Sequence, residues 1–129
     1  MKDEVKQDVK RDLVGRTRRF ALEVIMFYST LPTTTVCQVL GRQLLRSAIS
    51  VGAQYREAQR AKSGADFVNK IEGALQELDE TGYWLELLEE LGNADVIAVK
   101  RLQLEGQELL RIFVTIAKSL KKQSRIGNK

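Results

Sequence analysis

The chain has 129 residues, a formal net charge of +4 and a calculated pI near 9.3, with 43% hydrophobic and 29% charged residues. That is one domain's worth of apolar material, spanning 1–129, in an ordinary globular balance. The chain contains no histidine and one cysteine. This excludes the commonest general base, an intrachain disulfide and the usual zinc ligand sets.

The first apolar stripe is Leu13, Thr17, Phe20, Val24, Phe27 and Leu31, at steps of three and four. This is one face of a helix expected over 5–31, stopping before Pro32 because proline disfavours helix in the residue ahead of it. The second helix is expected over 34–61. Thr35 and Gln38 have capping-box spacing at its start. Its stripe is Cys37, Leu40, Leu44, Ala48, Val51, Tyr55 and Ala58, with Leu45, Ile49 and Gly52 beside it. So wide an apolar face suggests two packing partners.

Ser63 and Asp66 open a third helix, expected over 64–91, as another capping box. Phe67, Ile71, Ala74, Leu78, Leu85 and Leu88 form its stripe, flanked by Leu75, Trp84, Leu87 and Leu91. Gly92 suits the C-terminal cap and Asn93 the next N-cap. The fourth helix, expected over 94–122, carries Val96, Val99, Leu102, Gly106, Leu109, Phe113, Ile116 and Leu120, then a basic tail at 123–129. The fold expected is all-α. Short loops between long helices make it an antiparallel up-down-up-down four-helix bundle.

Charge is segregated along the chain. Residues 32–62 hold five basic side chains against Glu57, and residues 63–91 hold eight acidic ones against Lys70. From Lys118 onward there are five basic residues and no acid. Nucleic-acid contact is expected at Arg42, Arg56, Arg60, Lys62, Lys118, Lys121, Lys122 and Arg125, where phosphate binding would release counterions and depend on salt. The same charges also fit an ordinary solvated surface, or an acidic face on one subunit guiding a basic face on another.

No serine has a histidine partner, no glycine-rich phosphate loop occurs and no Glu-x-x-His pair exists, so no catalytic residue, cofactor or metal is expected. The N-terminus lacks a signal-peptide apolar region and no stretch would span a bilayer. A cytoplasmic chain without a membrane partner is expected.

Leu31-Pro32, then QLLRSAISVGAQYREA from Gln43 to Ala58, then DFVNKIEGALQELDETGYWLELL from Asp66 to Leu88, stand in a notable order. Together they resemble the four-helix-bundle proteins of the 23S rRNA intervening-sequence family. The signature is Gln-x-x-Arg-Ser-x-x-Ser on the second helix and Glu-Leu-x-Glu-Thr before the aromatics of the third. Gln54 and Gly52 stand where the family usually has Asn and Pro. The resemblance implies a homo-oligomeric ring, typically a pentamer, and kinship with the accessory variability determinant of diversity-generating retroelements. That relative implies RNA, DNA, a reverse transcriptase or another protein as partners.

Gln43, Arg46, Ser47, Ser50 and Glu57 share a side of the second helix and fit an inter-helix or oligomer contact. Arg46 is expected to pair with Glu77 or Glu80, within or between subunits. Adjacent Tyr83 and Trp84 point about 100° apart, so one can face the bundle and the other an interface. Two functions stand open: a non-catalytic oligomer that binds nucleic acid as an accessory protein, or a structural homo-oligomer that scaffolds another protein.

Overall fold

The computed structural model describes the backbone of residues 2–127 and the side chains of residues 13–122. Four helices follow in chain order: α1 Lys2–Tyr28, α2 Thr35–Gln59, α3 Gly64–Leu91 and α4 Val96–Gly127. α2 packs against both α1 and α3, α3 packs against α4, and α4 closes back onto α1. Joined by short turns, neighbours run antiparallel. The result is an all-α four-helix bundle, with no strand among the described residues.

Local chemistry sets the helix ends. α1 stops at Tyr28, short of Leu31. The last turn tightens there, with Thr30 N–H bonded to Phe27 O at 3.0 Å and Leu31 N–H to Tyr28 O at 3.1 Å. These bonds satisfy carbonyls that Pro32 leaves without helical donors. Thr34, not Thr35, caps α2: its backbone is extended and its hydroxyl accepts from Cys37 N–H at 3.3 Å.

Ser63 caps α3 by accepting from Asp66 N–H at 3.1 Å, and the Asp66 carboxylate accepts from Lys62 N–H at 3.4 Å. Gly92 ends α3 at φ 73°, a left-handed conformation open to glycine at little cost. Asp95, not Asn93, caps α4, its Oδ1 accepting from Ile97 N–H at 2.9 Å and Ala98 N–H at 3.1 Å. The α4 backbone stays helical to Gly127, through part of the stretch expected as a tail.

All six residues of the α1 stripe are buried, Thr17 included. Its hydroxyl donates back to Leu13 O at 2.7 Å, so the polar group is satisfied inside the core. The α2 stripe is buried except for half-buried Leu40, and the α3 stripe except for half-buried Phe67. On α4, Val99, Leu102, Leu109 and Phe113 are buried, but Val96 is 71% exposed. Val96 is the first residue of α4. Tyr55 and Phe113 meet edge to face across the bundle, ring centroids 5.5 Å apart at 76°. Cys37 is buried and free.

Candidate nucleic-acid interface

The polar side of α2 forms the seam with α3. Ser47 and Thr81 are fully buried and their hydroxyl oxygens lie 2.8 Å apart. Two hydroxyl protons serve this pair and the carbonyls of Leu44 and Glu77, so one hydroxyl donates across the seam and the other to its own helix. Above them, the Arg46 guanidinium donates to Glu77 Oε1 at 3.4 Å and Glu80 Oε2 at 3.3 Å, within one chain. The Glu77 charge, more than any other group, raises the Arg46 pKa. Half of the Arg46 side chain is in solvent, so water and salt screen the pair.

Ser50 donates to Arg46 O at 2.7 Å, and Glu57 pairs with Lys70 at 3.2 Å. Gln43 is exposed, without a described hydrogen bond. Trp84 is half-buried and Tyr83 is 53% exposed, their ring centroids 5.2 Å apart.

Antiparallel topology carries the charges into space. α2 ends where α3 begins, and α4 ends there too, because Lys121 Nζ sits 2.6 Å from Glu72 Oε1. Arg56, Arg60, Lys62, Lys118, Lys121 and Lys122 are therefore grouped at one end of the bundle, all exposed. Five of them have no ion pair among the described residues; Lys121 alone is matched, by Glu72. The acids nearby already have partners: Glu57 has Lys70, the Asp66 carboxylate accepts from Lys62 N–H and Glu72 has Lys121. The opposite end gathers Glu86, Glu89, Glu90 and Asp95. The bundle is thus polarised along its axis. Arg42 stands apart from the basic group, 14 residues before Arg56 on α2, about 21 Å at 1.5 Å per residue. The Arg125 side chain lies outside the described residues.

Unmatched guanidinium and ammonium groups can donate to phosphate oxygens, Arg in bidentate fashion. Among the described residues no group of three His, Cys, Asp or Glu could hold a metal ion. No helix of the described residues is long and apolar enough to cross a membrane.

One feature escaped the sequence pattern. Between α3 and α4, Gly82 and Gly106 open a surface cleft of about 440 Å³, floored by Leu78, Leu85, Leu102 and Leu110 and edged by Asp79, Tyr83 and Glu86. Asp79 and Glu86 are exposed and take part in no ion pair among the described residues. Only their heptad spacing hinted that they lie on one line.

The model of the family described as 23S rRNA-intervening sequence protein matches residues 10–115. Among solved structures, the chain is similar to a protein with unknown function from the S23 ribosomal protein family of Bacteroides thetaiotaomicron VPI-5482. The two are 34% identical with a TM-score of 0.77, and the match covers 82% of this chain and 98% of that one. No curated protein matches.

Proposed function

The chain belongs to the 23S rRNA-intervening sequence protein family, and on that premise we propose that it is a non-catalytic, self-assembling helical bundle that binds structured nucleic acid. The observation that carries this is the group of exposed, unmatched cations at one end of the bundle: Arg56, Arg60, Lys62, Lys118 and Lys122. They come from α2, the following turn and α4, so the rigid helices hold them in a fixed array. Every member of the group is a cation suited to phosphate, so the main contribution to binding is expected from the backbone and the shape of the nucleic acid. Structured RNA is the first probe because the family takes its name from intervening sequences of 23S rRNA.

The test is a salt titration of binding to an RNA hairpin and to a DNA duplex, read by fluorescence anisotropy. Each phosphate neutralised contributes about 0.9 to the log–log salt slope on a duplex and about 0.7 on a single strand. Replacing Arg60, Lys62, Lys118 and Lys122 by Ala should flatten the slope by roughly three to four units if all four engage. Absence of binding at low salt overturns the proposal, as does an unchanged slope in the variant.

A second reading, a structural homo-oligomer that scaffolds another protein, is favoured by exposed Val36, Val39 and Leu91 near the opposite end. Under it the quadruple variant keeps its assembly and its protein partner, and the wild type ignores RNA.

A further inference from the structure

The α1–α2 side and the α3–α4 side lie on opposite faces of the bundle, because the helices follow one another around it in chain order. The two faces differ in charge. On α2, Gln38 and Gly52 mark the line that meets α1: the Tyr28 hydroxyl donates to Gln38 at 2.7 Å, and Gly52 lies against Thr17. Four residues further along, one step outward, run Arg42, Ile49 and Arg56 at heptad spacing. On α1 the matching outer line is Arg18 and Ile25. These antiparallel contacts put Arg18 level with Ile49 and Ile25 level with Arg42. Ile25 is 43% exposed and Ile49 45%. Arg18 and Arg42 are exposed, with no ion pair among the described residues.

The opposite face is the α3–α4 cleft. Its floor is leucine, its opening is made by two glycines, and the carboxylates above it are unmatched. Asp79 and Glu86 stand two turns apart, about 10.5 Å, the same interval that separates Arg42 from Ile49.

We infer that these faces are the two halves of one interface, the isoleucine and arginine face of one copy seating in the acidic cleft of the next. This rests on the self-assembly part of the proposed function and assigns the surfaces that perform it. Apolar side chains between unmatched arginines face an apolar floor between unmatched carboxylates, so the two faces complement each other in charge around an apolar centre. Phosphate is repelled from the acidic cleft, so a nucleic acid fits at most one half, whereas a second copy of the chain fits both. Because the two halves are different surfaces on opposite sides, the contact is head to tail. Such contacts propagate into a ring or a filament rather than a closed pair. The assignment also divides the cations, with Arg18 and Arg42 serving assembly and the end group of Arg56, Arg60, Lys62, Lys118 and Lys122 left free, Arg56 lying at the far end of the α2 line.

Charge reversal tests this on the full chain by sedimentation velocity across a concentration series. Arg18→Glu/Arg42→Glu and Asp79→Arg/Glu86→Arg are each expected to weaken self-association by at least about tenfold, with helical content unchanged. In an equimolar mixture the two variants associate with one another, since each reversed face then meets an opposite charge on the other variant, as alternating chains or even-membered assemblies. A wild type that stays monomeric throughout overturns both this inference and the self-assembly it rests on. An assembled wild type with both variants unaffected overturns only the assignment of faces. Variants that weaken but do not rescue one another overturn the head-to-tail pairing.

Discussion

Gly41→Ala tests how α1 is seated on α2. A Cβ at this position would stand 2.6 Å from two carbons of the Tyr28 ring and 3.1 Å from Leu31 Cδ1. Something must shift, and the ring is held by its hydroxyl bond to Gln38 at 2.7 Å. On helix propensity alone the substitution stabilises by about 0.8–1.0 kcal/mol. Against that stand overpacking, about 1–3 kcal/mol, and loss of the Tyr28–Gln38 bond, about 1 kcal/mol. The contact side wins, leaving a net destabilisation of about 1–3 kcal/mol, or a Tm lowered by roughly 4–12 °C at about 4 °C per kcal/mol. Gly82→Ala is the control, in the interior of α3 with no atom within 4 Å of the added carbon. It should stabilise by about 0.8–1 kcal/mol. Urea unfolding followed by circular dichroism, at concentrations too low for assembly, measures both. If both substitutions raise stability alike, the close approach of α1 to Gly41 is refuted.

Phe113→Ala empties the centre of the core beside Tyr55 and should cost about 3–5 kcal/mol in urea unfolding; a loss below 1 kcal/mol would mean that α4 is not packed there. Burial raises the Tyr55 phenol above its ordinary pKa of 10.0. The folded state therefore keeps a proton that the unfolded chain releases, and this contribution to stability, intact below pH 10, is lost as pH climbs past it. Tyr55→Phe should flatten that alkaline decline, and an identical decline in both proteins would show that Tyr55 is not its source. Ser47→Ala and Thr81→Val should each cost about 1 kcal/mol, and the double variant less than their sum, because both single changes remove the same hydroxyl–hydroxyl bond while the remaining hydroxyl keeps its own helix carbonyl; strict additivity in the thermodynamic cycle would show that the two do not share a bond.

The four amphipathic stripes were legible because burial has a helical period, and a six-residue match such as Leu13 to Leu31 leaves little choice of phase. The caps were less so. Thr33, Thr34 and Thr35 are chemically equal, and only the extended backbone at Thr34 selects the one whose hydroxyl meets Cys37 N–H. Asn93 and Asp95 are both good N-caps by type, and the choice falls to Asp95 because α4 begins at Val96. The pairing of Arg46 with Glu77 and Glu80 was foreseen from complementary charge; that it closes within one chain depends on the register of α2 against α3, which no local pattern specifies.

The candidate surfaces raise a harder problem than the core. Counted along the chain, charge divides by helix, with a basic second helix, an acidic third and a basic end to the fourth. Folded antiparallel, it divides another way. The end of α2 and the end of α4 meet, concentrating cations at one pole, while Glu86, Glu89, Glu90 and Asp95 meet at the other. A chain-order count thus placed Arg42 with Arg56 and Arg60, whereas in space it stands about 21 Å from Arg56 and shares a face with Arg18 and Ile25. The cleft was hidden for a related reason. Gly82 and Gly106 are 24 positions apart, and neither is unusual in its own helix until the two helices bring them together. Core positions obey a rule each helix states alone. Binding surfaces on a bundle are made between helices, and they become visible only once the helices are set side by side.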